Sequence, residues 1–316
     1  MKLQRFALAL AGAGLFAATA VSGTAVAADP NPSVKSRIAA LKQQAAAKAV
    51  AEPCSSLLGG VTANGAVNSL EILPGKPPKV EPWFDFKFYA AKATGTWYLA
   101  QNASGSQLYY YGVFIQAGNL YRHTTYINQD TGAVTPKIAK VGGGWASFKT
   151  IATSNYSITA PRHAYIYGLN ANGKLYRYSQ VGTAVKSLGN FAGFTSFKAL
   201  TVVSETPTYD TLLMTTTAGA LYTVRIPVAA STKPVLKLVR KTGFAAYEAL
   251  TAHNCGVRGG TLIVGIDHDT DSAYQYAFSK FNGTATAITA YGKAPAVLSG
   301  VTTAPFTTHY DQLVGE

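Results

Sequence analysis

Gly118-Asn119-Leu120-Tyr121 followed by Val141-Gly142-Gly143-Gly144-Trp145-Ala146-Ser147-Phe148-Lys149-Thr150-Ile151 is the stretch that decides the fold, because both halves recur. The first half, a Gly-x-Leu-Tyr turn, returns at Gly173-Lys174-Leu175-Tyr176 and Gly219-Ala220-Leu221-Tyr222. Degenerate copies stand at Gly65-Ala66-Val67 and Asp271-Ser272-Ala273-Tyr274, so successive copies lie 53, 55, 46 and 52 residues apart. The second half, Gly-aromatic-x-x-aromatic, returns at Gly193-Phe194-Thr195-Ser196-Phe197-Lys198 and Gly243-Phe244-Ala245-Ala246-Tyr247-Glu248. Trp83 to Lys87 reads as a copy without the glycine and Gly292-Lys293 as one without the aromatic, and from Gly144 the spacings are 49, 50 and 49.

A period near fifty residues, built from short aromatic and β-branched runs between glycine turns, marks an array of β units rather than one continuous fold. Runs such as Tyr165-Ile166-Tyr167 and Leu175-Tyr176-Arg177-Tyr178 alternate as half-buried antiparallel strands do. Four strands fit each period, which predicts an all-β fold: a five-bladed β-propeller of four-stranded antiparallel blades. The last residues, Tyr310-Asp311-Gln312-Leu313-Val314-Gly315, echo Tyr209-Asp210-Thr211-Leu212-Leu213-Met214-Thr215, so the chain stops partway into a further copy whose remaining strands are those near Gly65. A ring in which the C-terminal strand completes the N-terminal blade removes two open sheet edges. Six blades is the alternative count. Cys54 and Cys255 precede corresponding hairpins of the first and last copies, which ring closure makes neighbours. A disulfide is expected there, the alternative being two free thiols.

Residues 1–27 carry Lys2 and Arg5, a long apolar run and then Ala25-Val26-Ala27, the pattern of a secretory signal with its cleavage site. No later segment is apolar enough to span a bilayer, so a secreted, extracellular protein is expected, in a compartment where disulfides persist. Residues 28–53 read as a helical arm or linker: Val34, Ile38, Leu41 and Ala45 recur at helical spacing, and Pro53 ends the pattern. The propeller then occupies 54–316. The chain's net charge is +13, and removing Lys2 and Arg5 leaves 13 − 2 = +11. Such a balance favours anionic surfaces, yet the basic residues are scattered and no nucleic-acid module is visible.

The pairing of Leu120-Tyr121-Arg122 with Gly142-Gly143-Gly144-Trp145-Ala146-Ser147-Phe148 resembles the tachylectin family of β-propeller lectins, over about residues 55 to 315. That resemblance implies a five-bladed propeller that binds N-acetylated amino sugars in shallow pockets between blades, without catalysis or metal; a monomer without cofactor, with glycans bearing N-acetylhexosamine or cell-wall polymers as partners, is expected. Several weak pockets would give avidity for dense glycan arrays. The family tends to place a polar residue directly after the tryptophan, where this chain has Ala146, Thr195 and Ala245, and Phe194 and Phe244 replace tryptophan in two copies. Carbohydrate-binding candidates are Trp145, Trp83, Tyr121, Arg122, Asp85, Phe194 and Phe244, since a sugar needs an aromatic platform beside convergent hydrogen-bonding groups. For each aromatic the other use is packing between sheets. The alternative function is a secreted protein-interaction or cell-wall-binding scaffold without sugar specificity.

Enzymatic chemistry finds little footing. Glycosidases use two carboxylates facing a cleft, while only 14 acidic residues occur in the whole chain, and no Gly-x-Ser-x-Gly turn is present. Asp267-His268-Asp269-Thr270-Asp271 offers alternating carboxylates of the kind calcium takes, but without an EF-hand's glycine and distal glutamate. It falls where every other copy has a hairpin loop and reads as an Asp-rich turn bonded to itself.

Overall fold

The computed structural model describes residues 54–229, 233–255, 260–295, 298, 301–308 and 312–316, with the side chains of residues 83, 84 and 308 outside the description. The expected signal segment and helical arm, 1–27 and 28–53, also lie outside the described residues. Within them every regular element is a strand. Strands β1 (Ser56–Val61), β2 (Ala66–Leu73), β3 (Lys79–Lys87), β4 (Ala93–Thr94), β5 (Trp97–Gln101), β6 (Gln107–Gln116), β7 (Asn119–Asn128) and β8 (Val134–Gly142) lead the chain. Three four-stranded antiparallel sheets follow: β9 (Phe148–Tyr156) to β12 (Ala184–Phe191) through β10 (His163–Asn170) and β11 (Leu175–Val181); β13 (Phe197–Glu205) to β16 (Val235–Arg240) through β14 (Tyr209–Thr216) and β15 (Leu221–Pro227); and β17 (Ala249–Asn254) to β20 (Ile288–Ala294) through β18 (Thr261–Asp267) and β19 (Ser272–Phe278). The last strand, β21 (Thr302–Thr308), pairs antiparallel with β1 and parallel with β5, which joins the first eight strands and itself in one nine-stranded sheet.

Closure by a C-terminal strand is therefore seen through Thr302–Thr308; of the residues that echo Tyr209–Thr215, Tyr310 and Asp311 lie outside the described residues and Val314 bridges Ser204 of β13. Leu58 faces Pro305 and Val61 faces Thr302 in that ladder. The inner strands touch in succession, β9 beside β13, β13 beside β17, β17 beside β21, β21 beside β4 and β5, and β4 beside β9. A disulfide joins Cys54, just before β1, to Cys255, just after β17, with Cα atoms 5.0 Å apart and a sequence separation of 201.

The sequence repeat has a single structural cause. In each hairpin the turn residue adopts positive φ: 81° at Gly65, 73° at Gly118, 76° at Gly173, 87° at Gly219 and 52° at Asp271. Asp tolerates that conformation better than most residues, which is why the last copy dispenses with glycine. The freed carbonyl then accepts a backbone N–H from the segment leading to the next sheet: Phe88 to Gly65 at 2.6 Å, Trp145 to Gly118 at 2.9 Å, Phe194 to Gly173 at 2.9 Å and Phe244 to Gly219 at 3.1 Å. Leu298 to Asp271, at 3.5 Å, completes the series. The side chain of each donor is buried beneath the hairpin, so one contact joins both halves of the motif in every copy, although 21 to 27 residues separate the bonded partners.

Two copies differ from the sequence reading. Trp83 lies inside β3 beside a bulge between Asn68 and Leu70, and Phe88 takes the aromatic position of that copy. Gly292, with φ of 101°, opposes Gln275 at a bulge within β20 rather than opening a turn. In the Asp-rich hairpin, the Thr270 N–H donates to Asp267 Oδ1 at 3.1 Å, as expected of an Asx-type turn.

Outer strands are exposed and basic, as edges protected from further pairing should be. Lys79 and Lys87 on β3, Lys137 and Lys140 on β8, Lys186 on β12, Lys237 on β16 and Lys293 on β20 all face solvent. Part of the scattered positive charge is thereby a property of sheet edges. Neighbouring sheets are also tied by polar groups. Asp210, with no solvent exposure, accepts from Ser154 Oγ at 2.6 Å and Tyr167 Oη at 2.8 Å and pairs with His163 Nε2 at 2.9 Å, linking β14 to β9 and β10.

Candidate functional site

The candidate site is a cleft between the sheet of β5 to β8 and the sheet of β9 to β12, with a volume of about 330 Å³. Thr96, Tyr98, Tyr111 and Arg122 line one wall, and Thr153, Asn155 and Gln180 line the other. Alternation along β6 builds the aromatic side. Tyr110 points inward and is fully buried, so Tyr109 and Tyr111 point the other way and stay half-exposed. The Tyr111 ring stacks on Tyr98 with centroids 5.7 Å apart and 27° between planes, and Tyr109 continues the row towards Tyr126 with 6.1 Å steps. Tyr98 is the buried end, held by a 3.4 Å bond from its hydroxyl to the Thr153 carbonyl. Burial pushes its phenol well above the ordinary value, so it stays a neutral donor.

Arg122 comes from β7, opposite Val113. Its Nη1 donates across the cleft to the Gly182 carbonyl in the β11–β12 turn, and desolvation lowers its pKa. A guanidinium retains further donors after one such bond. The cleft thus combines a tyrosine face, a tethered cation and the edges of Asn155 and Gln180, an arrangement able to hold a ring with an apolar face and acceptor oxygens.

Of the sequence candidates only Arg122 stands in this cleft. Trp145 is 6 % exposed and packs against Phe148 and Tyr178, each with centroids 4.7 Å away. That burial leaves no ring face for a sugar. Phe194 and Phe244, at 2 % and 6 % exposure, fill the corresponding places in the next sheets. Tyr121 alternates away from Arg122 and stacks on Phe114 at 5.4 Å against the core. Asp85 is exposed in a separate depression with Asn64, Asn68 and Lys87, and the side chain of Trp83 lies outside the described residues. Sequence reasoning missed Tyr111, Tyr98, Asn155 and Gln180; only the tyrosine run at 109–111 carried a signal for them.

Two buried carboxylates, Glu205 and Asp210, face each other across the β13–β14 pair. Burial, then the neighbouring Asp210, pushes Glu205 up to about 8, while its Oε1 accepts the Asn155 N–H at 2.8 Å. Both are enclosed by the sheets, and the three groups on Asp210 occupy its oxygens. Among the described residues no group of three or more His, Cys, Asp or Glu side chains is arranged to hold a metal.

No protein-family profile matches the chain, and no curated protein does. The likeness to tachylectins therefore rests on the motifs alone. Among solved structures, the chain is similar to the SapL1 lectin in complex with alpha methyl fucoside, at 12 % identity and a TM-score of 0.39, covering 76 % of this chain and 80 % of that one. It is similar to a triple arginine-to-alanine mutant of AofleA from Arthrobotrys oligospora, at 10 % identity and a TM-score of 0.38, covering 81 % of this chain and 90 % of that one. It is also similar to the catalytic domain of a Coprinopsis cinerea GH62 alpha-L-arabinofuranosidase, at 10 % identity and a TM-score of 0.38, covering 60 % of this chain and 64 % of that one. The chain thus spans less than two thirds of that domain. The expectation that the protein is not an enzyme is corrected by this last comparison, because a catalytic domain stands among the structures it resembles.

Proposed function

We propose that this protein is an exported, carbohydrate-binding five-bladed propeller that recognises glycans bearing N-acetylated amino sugars at the Tyr111–Arg122 cleft. The observation carrying the reading is the cleft itself, where the half-exposed Tyr111 ring lies beside the tethered Arg122 and the side chains of Asn155 and Gln180. A pyranose face would stack on Tyr111 while Arg122 donates to the acetamido oxygen. Five blades is supported by the circuit of inner strands from β9 through β13, β17, β21 and β4 back to β9. Export is supported by the Cys54–Cys255 disulfide together with the signal-like residues 1–27; among the described residues no helix is long and apolar enough to cross a membrane.

The test is a glycan array probed with the mature protein and with Tyr111→Ala, both verified as folded by circular dichroism. Selective binding to amino-sugar glycans, lost in the folded variant, is expected. Binding by neither protein to any glycan would move the function to a protein or wall-polymer scaffold, and equal binding by both would place the sugar site outside the Tyr111–Arg122 cleft.

A further inference from the structure

The inner strands enclose an axial space whose two ends differ. At one end the C-terminal residues cross beneath the strands. Gln312 donates from Nε2 to the Asn155 carbonyl of β9 at 3.1 Å and accepts on its own carbonyl from Asn254 Nδ2 of β17 at 2.7 Å. The Glu205 N–H of β13 donates to the Leu313 carbonyl at 2.8 Å, and the Gly315 N–H to the Val203 carbonyl at 2.9 Å. Gln312 is buried, so the tail closes that end and leaves a blind funnel.

The other end is lined by the residues that follow each interblade turn. Lys92, Lys149, Glu248 and Thr302 all face a space of about 100 Å³ there, and Lys198 holds the remaining equivalent position. Their charges do not cancel. Glu248 is the only carboxylate in that lining, and it is spent: Oε1 accepts from Lys198 Nζ at 2.7 Å and Oε2 from the His268 N–H at 3.0 Å. Among the described residues no carboxylate pairs with Lys92 or Lys149. Lys92 is positioned by a 2.6 Å bond to the Ala146 carbonyl, and Lys149 extends from the start of the neighbouring strand β9. Thr150, Thr201 and His268 complete the polar residues of the lining. Unlike the lysines of the outer strands, Lys92 and Lys149 line one space, and a funnel walled by protein focuses their field. Its volume is well below the roughly 300 Å³ at which small-molecule pockets begin, and suits one tetrahedral group.

We propose that this axial mouth is an oxyanion site that takes a single phosphate group, with Lys149 and Lys92 as its principal donors. It is separate from the Tyr111–Arg122 cleft and independent of any sugar specificity there.

Calorimetric titration with inorganic phosphate and with a glycerol-phosphate oligomer, at constant ionic strength set by sodium chloride, tests it. Wild type should bind one of the two. Lys149→Gln, a change at an exposed side chain, should weaken that binding at least tenfold, and Lys149→Arg should retain it. Lys137→Gln on β8 should match wild type. Tighter binding of the ion would make free phosphate the ligand, whereas tighter binding of the oligomer would make it a polymer-borne phosphodiester. No saturable binding of either, or equal weakening by Lys149→Gln and Lys137→Gln, would overturn the proposal, since the second result reports net charge alone.

Discussion

Replacing Trp145 by alanine removes the largest side chain of the cluster formed with Phe148, Ile151, Ile166 and Leu120 while leaving its backbone N–H on the Gly118 carbonyl. With the ring 6 % exposed, nearly the whole indole changes from packed to absent. Aromatic-to-alanine changes in cores cost about 3–5 kcal/mol. In a ring of this size each kcal/mol moves the midpoint by about 2–4 °C, so a fall of about 6–20 °C is expected. Trp145→Phe serves as an internal reference, because phenylalanine already fills the equivalent position at Phe194 and Phe244 with the same backbone bond. Its cost should be about 1–2 kcal/mol, mostly the residual cavity. Urea and thermal unfolding of the three proteins, beside glycan binding at a temperature where each is folded, give the answer. An alanine variant within about 1 kcal/mol of wild type, or one of undiminished stability that has lost binding, would refute the packing role and return the indole to the ligand.

The Cys54→Ala/Cys255→Ala double variant should lose about 2–5 kcal/mol in urea unfolding, since the bond links residues 201 apart in the unfolded chain; a loss below about 1 kcal/mol would show that the β1–β21 ladder alone closes the ring. Asp210→Ala should cost about 3–5 kcal/mol by stranding Ser154, Tyr167 and His163, and a cost under about 1 kcal/mol would mean those donors find other partners. Stability should peak near about pH 6.5, where opposing proton linkages cross. Glu205 is raised from 4.5 to about 8, so between those values the folded state holds the extra proton and stability falls as pH rises. Burial lowers His123 and His253 from 6.5 to about 3, so between those values the unfolded state holds two extra protons and stability rises with pH. The two histidines prevail below 6.5 and Glu205 above it. Glu205→Gln should flatten the alkaline limb in a pH series of urea midpoints; an unchanged limb would assign it to other groups.

The repeat was legible because each copy carries one obligatory contact, a hairpin carbonyl capped by the N–H of a buried apolar residue. Where other forces meet the same need the pattern blurs. Phe88 follows directly on β3 and needs no glycine to reach Gly65, so the sequence offered Trp83 as a substitute. Leu298 does the aromatic's work in the last copy, while Gly292 answers to a bulge in β20. Its resemblance to β14 points to Tyr310–Gly315 as the closing strand, but Thr302–Thr308 fills the place beside β1, and the described tail from Gln312 bonds to β9 and β13 instead. The site was harder to read. Motif aromatics are conspicuous for the same reason that they are buried. The cleft depends on Tyr111, Arg122, Asn155 and Gln180, which come from two sheets and share no local spacing. Tyr111 differs from Tyr110 only by the alternation of β6, and that decides which ring faces the core.

Isothermal titration of an N-acetylglucosamine oligomer into the mature protein, with Tyr111→Ala and Arg122→Ala alongside Trp145→Phe, tests the central claim most directly. Saturable binding by wild type and Trp145→Phe, lost or weakened at least tenfold in the two folded cleft variants, is the predicted result. No heat of binding for wild type, or equal affinity in all four proteins, would contradict it.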